Sequence, residues 1–144
     1  MKKILICGAT GFIGKNITLS LSKNNNYEIH AVRYKRPKYK TSDNVKWHKA
    51  DLRNPVLVDK LIKNMDIVIQ AAATTSGSKD IVLKPYLHVT DNAVINSFMF
   101  RSAYTHKVKH FIFPSCTVMY PSSKKATKES DFNGNIIDKY KGAG

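Results

Sequence analysis

Glycines at positions 8, 11 and 14 punctuate the segment Ile4-Leu5-Ile6-Cys7-Gly8-Ala9-Thr10-Gly11-Phe12-Ile13-Gly14, between an apolar run and a helical pattern. That spacing suits a bound phosphate. Gly8 can take the positive φ of a tight turn, Gly11 leaves the backbone open to a diphosphate, and Gly14 removes bulk where a helix presses on a strand. The helix then aims free N–H groups and the positive end of its dipole at the anion. Gly8, Thr10, Gly11, Phe12 and Ile13 are therefore the residues expected to hold a dinucleotide diphosphate. The competing reading is a plain strand-to-helix turn without a ligand.

The elements that must position this turn follow from hydrophobic periodicity. Residues 4–6 form a buried-type strand, and Ile13, Ile17 and Leu21 fall at four-residue spacing on one face of the helix that follows. Residues 28–32, 45–50, 66–69 and 109–113 read as four further strands. Between them, Asn54-Pro55 opens a short helix with Leu57 and Leu61 inward, proline being well placed at the first helical position. Residues 74–79 read as a small polar loop and 86–105 as a long helix. Val89, Ala93, Val94, Met99 and Ala103 give that helix a broad apolar face, predicted to be largely buried. Residues 122–135 are loop-like, with one turn expected near 124–129. Repeated strand–helix alternation predicts an α/β fold, a Rossmann-type doubly wound parallel sheet of about five strands. All 144 residues are expected to form one dinucleotide-binding domain.

Composition narrows the partners. With 24 Lys and Arg against 10 Asp and Glu the formal charge is +14, yet only four of the bases are Arg and they are scattered along the chain. Nucleic-acid recognition usually places Arg forks at chosen positions, so a nucleic-acid partner is not favoured. The dense stretch Arg33-Tyr34-Lys35-Arg36-Pro37-Lys38-Tyr39-Lys40 could in isolation be a nucleic-acid loop. No apolar run approaches a membrane span, and Met1-Lys2-Lys3 leads straight into the first strand; no membrane association and a cytoplasmic location are expected. Cys7 and Cys116 read as reduced thiols, and the five histidines lack ligand spacing, so no metal is expected.

Taken in order, four segments resemble the extended short-chain dehydrogenase/reductase family, the NAD(P)-dependent epimerases, dehydratases and reductases of nucleotide sugars. The glycine segment matches the family's phosphate loop, and Ala50-Asp51-Leu52 its adenine-contact element. Ala71-Ala72-Ala73 is similar to its small-residue segment beside the cofactor, and Ser115-Cys116-Thr117-Val118-Met119-Tyr120-Pro121 to its active-site strand end. The helix and fifth strand look most like those of GDP-L-fucose synthase-like enzymes. The resemblance implies cofactor contacts at Asp51, Leu52, Ala71, Ala72, Ala73 and Ser115. Asp51 could instead cap a turn or helix, and the alanines could simply pack tightly. In this fold an acid ending the second strand holds the ribose hydroxyls of NAD, whereas Arg suits the 2′-phosphate of NADP. Arg33 stands there with Arg36 beyond it and no acid from 29 to 41, so NADP is expected over NAD, with NAD still open. Alternatively the basic loop is only solvated surface.

The resemblance also implies hydride transfer assisted by a hydroxyl residue, a Tyr and a Lys. The usual hydroxyl position falls on Cys116, so Ser115 or Thr117 must supply that contact, a thiol being a poor donor. Cys116 as a nucleophile has no evident partner in sequence. Tyr140 lies at a plausible interval for the phenol, but Gly144 occupies the position four residues later where the family has Lys. The candidate catalytic residues are thus Cys116, Thr117 and Tyr140. The expected function is the cofactor-binding N-terminal portion of a nucleotide-sugar epimerase, dehydratase or reductase, inactive in isolation and self-associating through uncovered apolar surface. A non-catalytic dinucleotide-binding regulatory module and a basic nucleic-acid-binding protein remain as alternatives.

Overall fold

The computed structural model describes residues 1–75, 78–116, 120, 123–132 and 134. Its elements run β1 (Lys2–Cys7), α1 (Phe12–Leu21), β2 (Tyr27–Arg33), β3 (Val45–Lys49), α2 (Pro55–Ile62), β4 (Ile67–Gln70), α3 (Ser78–Leu83), α4 (Tyr86–Thr105) and β5 (His110–Ile112). The five strands are parallel in the order β3-β2-β1-β4-β5, so the chain reverses direction across the sheet between β1 and β4. The chain divides into two compact units, 1–73 with 94–113, and 74–93 with 114–144.

Alternation along β1 builds two cores in the first unit. Ile4 and Ile6 join Ala9, Ile29, Ala31, Val45 and Ile69 on one face, closed by Ile17 and Leu21 of α1. Leu5 and Cys7 point to the other face, with Val32, Val58, Ile62, Val68, Ile95 and Met99. Every one of the four residues Ile4, Leu5, Ile6 and Cys7 is buried, which is why this strand reads as a continuous apolar run. Burial pushes the Cys7 thiol up to about 12, so it remains a protonated core residue.

Helix phases differ from expectation in three places. In α2 the buried residues are Val58 and Ile62, Leu61 packs against their cluster half-buried as expected, and Leu57 is exposed; Asn54 caps the helix by accepting from the N–H of Val56 and Leu57. Helix α1 buries Gly14 and Thr18, and Ile13 stays half exposed. Helix α4 buries only a narrow stripe, including Ile95, Met99, Ser102 and Ala103; Val89 and Val94 are exposed. Part of the segment expected to be a polar loop begins α3.

Strands β2 and β3 carry a polar face. His30 Nε2 and Glu28 Oε1 lie 2.8 Å apart, Lys46 Nζ sits 3.0 Å from Glu28 Oε2, and His48 stacks on His30 with ring centroids 5.1 Å apart. The β2–β3 connection contains no helix among the described residues, so a wet surface is tolerated there. In the second unit, Thr74 and Asn92 exchange two hydrogen bonds, from Thr74 N to Asn92 Oδ1 and from Asn92 Nδ2 to Thr74 O.

Two outcomes follow. Met99→Ala, at a fully buried position, should lower stability by roughly 2–5 kcal/mol in urea unfolding. Hydrogen bonds from His30 and Lys46 hold the Glu28 carboxyl down to about 2 from 4.5, a depressed folded-state pKa. Its stabilisation is therefore present above pH 4.5 and lost as pH falls towards 2, and Glu28→Gln should flatten the stability profile across that window.

Candidate functional site

The turn between β1 and α1 is set by backbone collisions. Gly8 has φ +74°, and a Cβ there would lie 2.6 Å from the Ala71 carbonyl oxygen and 2.8 Å from Ala72 Cα. A Cβ on Gly14 would run into the Gly8 carbonyl, 2.7 Å from its carbon. These two glycines are thus demanded by the protein itself. Gly11 differs: its backbone is extended, with φ −80° and ψ 171°, and an added Cβ would meet only the Gly8 oxygen, at 3.3 Å. Little in the chain requires glycine there, and the space its missing side chain leaves lies at the start of α1.

That helix start has no side-chain cap and no acidic residue in its first turn. The leading N–H groups of an α-helix have no partner within it and carry partial positive charge. Phe12, the first residue of that helix, is 85% exposed.

The loop after β2 folds against this turn. Tyr39 Oη donates to Ala9 O at 3.1 Å, and Arg36 Nη1 donates to Thr10 O at 3.3 Å. Arg33 Nη1 donates to Arg36 O at 3.3 Å. Both guanidinium groups rest on neutral carbonyls, and neither pairs with a carboxylate among the described residues. Lys15 Nζ lies 5.1 Å from the centroid of the Tyr39 ring, adding a third cation nearby.

The end of β3 completes the rim. Ala50 N donates to Arg33 O at 3.0 Å, tying the segment after β3 to the end of β2. Asp51 Oδ1 accepts from Arg53 N at 3.0 Å, a local turn. The Arg53 side chain holds the same carboxylate through Nε at 3.0 Å and Nη2 at 2.7 Å. That guanidinium keeps the Asp51 carboxyl down at about 2. Leu52 is buried in the core, so only its backbone is left for a ligand.

Sequence-expected residues therefore divide clearly. Gly8, Thr10, Gly11, Phe12, Ile13, Arg33, Arg36, Asp51, Leu52, Ala71, Ala72 and Ala73 all belong to the first unit, and the chain segments carrying them gather at the carboxyl ends of β1 to β4. Ser115 and Cys116 belong to the second unit and are exposed. Thr117 and Tyr140 lie outside the described residues. Sequence reasoning missed Tyr39 and Arg53. Their signal was faint, since one reaches across 30 positions and the other depends on the shape of a two-residue turn. No group of three or more His, Cys, Asp or Glu able to hold a metal occurs among the described residues. None of the helices searched among them is long and apolar enough to cross a membrane.

Comparison with known proteins places this geometry. The model of the NAD dependent epimerase/dehydratase family matches residues 4–140. GDP-mannose 3,5-epimerase 1 of Oryza sativa subsp. indica is 31% identical over 136 residues, covering 90% of this chain and 36% of that protein. GDP-L-fucose synthase of Azorhizobium caulinodans is 28% identical over 123 residues, covering 84% of this chain and 35% of its own length. The fold is shared with UDP-glucose 4-epimerase from Bifidobacterium longum, solved with NAD+ and UDP, at a TM-score of 0.73, 24% identity, and coverage of 89% of this chain and 42% of that one. The chain thus spans about a third of the length of the curated relatives it first matches.

The three glycines should separate on substitution. Gly8→Ala and Gly14→Ala should each destabilise by more than about 2 kcal/mol in denaturant unfolding, through left-handed strain and overpacking respectively. Gly11→Ala should cost less than about 1 kcal/mol, because only one carbonyl oxygen has to yield.

Proposed function

Because the chain belongs to the NAD-dependent epimerase/dehydratase family, we propose that it is the coenzyme-binding part of an NAD(P)-dependent enzyme that acts on a sugar nucleotide by hydride transfer, with NADP(H) preferred. The observation that carries this reading is the glycine at position 11. Its missing side chain has little reason within the protein, and the space it leaves lies at an uncapped helix start. A dinucleotide diphosphate supplies that reason, with the N–H groups of Phe12 and Ile13 as donors.

Each neighbouring segment then takes one part of the coenzyme. Arg33 and Arg36 suit a phosphate on the adenosine ribose, since a guanidinium can hold it through two parallel bonds while a carboxylate would repel it. The Asp51 carboxylate offers an acceptor to the adenine amino group, and the Leu52 backbone lies alongside. Ala71, Ala72 and Ala73 keep the chain low beside the ribose and nicotinamide. The bound coenzyme supplies the hydride donor or acceptor.

The reaction itself would draw on the second group of residues. Ser115 or Thr117 would orient the sugar oxygen, with Cys116 between them. Tyr140 would move the proton, which calls for a phenol pKa below its usual value of about 10. The relatives' names place their substrates among GDP- and UDP-linked sugars, the chemical class proposed here.

Titration of NADPH and NADH by fluorescence tests the assignment. NADPH should bind more tightly to the wild-type chain, and Gly11→Asp should abolish binding of both. Arg33→Asp should weaken NADPH by roughly 10–100-fold, the worth of one charged hydrogen-bonding contact, and leave NADH little changed. Equal affinities for the two coenzymes in the wild-type chain would count against the NADP preference.

A further inference from the structure

Arg53 lies two residues after Asp51 in the turn that follows β3. Backbone N–H groups already close the turn onto Asp51, from Arg53 to its carboxylate and from Asn54 to its carbonyl. Yet the Arg53 side chain spends Nε and Nη2 on both oxygens of that carboxylate, and Nη2 also donates to the Tyr34 hydroxyl at 3.2 Å. The guanidinium carbon lies 5.8 Å from the Tyr34 ring centroid, so cation–π attraction adds to the hold. Both members of the pair are partly open to solvent, the Arg53 side chain at 41% and Asp51 at 33%. An exposed ion pair contributes little to stability by itself. What the bidentate fork does supply is direction: it fixes the plane of the carboxylate and the side from which a further donor can approach.

We infer that Arg53 is a positioning residue for purine selection: it locks Asp51 as an ionised, correctly turned acceptor, so that the site takes a 6-amino purine and rejects a 6-oxo purine. The inference rests on the proposed coenzyme reading and deepens it. Chemistry dictates the sign. An adenine presents N–H donors at its 6-position, whereas hypoxanthine presents a carbonyl oxygen that a fixed carboxylate repels. A carboxylate free to rotate could swing away from that oxygen, and discrimination would fall. Lysine in place of Arg53 would keep the charge but cannot grip both oxygens, so charge and geometry are separable.

The test uses the whole 144-residue chain, NADPH, and its deamino analogue carrying hypoxanthine in place of adenine. Binding is measured for the wild type, Arg53→Lys, Arg53→Gln, Asp51→Asn and the Arg53→Gln/Asp51→Asn double variant, with circular dichroism and thermal unfolding reporting the fold of each. The wild type should prefer NADPH by about tenfold or more, roughly the worth of one well-placed hydrogen bond to a charged acceptor. Both Arg53 variants should bring the preference down to about twofold, chiefly by weakening NADPH. In the Asp51→Asn background the further Arg53→Gln change should leave the preference where it is. A parallel loss for both nucleotides at unchanged ratio would overturn the inference while leaving the coenzyme reading standing, because Arg53 would then be merely structural. Failure of the folded wild-type chain to bind either nucleotide would overturn both.

Discussion

Three stretches of backbone meet at Gly8 with no room for a side chain between them. The turn after β1, the chain leaving β4 at Ala71–Ala72, and the first turn of α1 at Gly14 all lie within the reach of one methyl group. Hydrogen bonds from Ala9 N to Val32 O and from Ala71 N to Cys7 O draw in the ends of β2 and β4 on either side. The contact therefore fixes where α1 begins and which way it points. It also brings the two strands at the sheet's point of reversal, β1 and β4, to their ends at a common level. In a doubly wound parallel sheet that point is where ligands bind. The residues that meet this packing requirement are also those proposed to shape the coenzyme site.

Around that contact the charge distribution favours anions. Ten acidic residues face twenty-four basic ones, so most of the bases have no acidic counterpart in the chain. Three acids in the first unit are nevertheless committed to nearby cations: Glu28 to Lys46, Asp51 to Arg53 and Asp66 to Lys109. The loop over the glycine turn gets none of them. Arg33, Arg36 and Lys15 are thus left around a helix start that already carries partial positive charge. Such a field raises the encounter rate of a polyanionic ligand without dictating which ligand it is. Identity has to come from directional contacts, and on the proposed reading these are the fork on Asp51 and the open face at Gly11.

Much of this was legible in the sequence because it is local or periodic. The glycine spacing and the apolar run of β1 each encode their element within a few residues, and the parallel sheet follows from the strand–helix alternation. Phase was less legible. Leu57 and Leu61 looked inward by four-residue spacing, but only Leu61 packs on the core, beside the fully buried Val58 and Ile62, and Leu57 is exposed. The breadth of the apolar face on α4 misled in the same way, since how much of a helix is covered depends on neighbours far along the chain. Tyr39 over Ala9 and Arg53 on Asp51 were invisible for a related reason: a loop's path decides them, and loop paths are not periodic.

The residues proposed for coenzyme binding and those proposed for chemistry fall on different parts of this chain, and the division has a thermodynamic meaning. Every coenzyme assignment except Ser115 belongs to the first unit, whereas Ser115 and Cys116 belong to the second. Interactions with the distant adenosine end are equally strong in ground and transition states, so by themselves they lower the concentration of coenzyme required without raising the turnover rate. Interactions at the reacting carbon are the ones that must strengthen as the hydride moves. A glycine turn, a pair of arginines and a clamped carboxylate are suited to the first task and contribute nothing directed at the second. On the proposed reading, affinity for a nucleotide and choice between nucleotides are set by the first unit's geometry, independently of which hydroxyl or phenol takes part in a reaction.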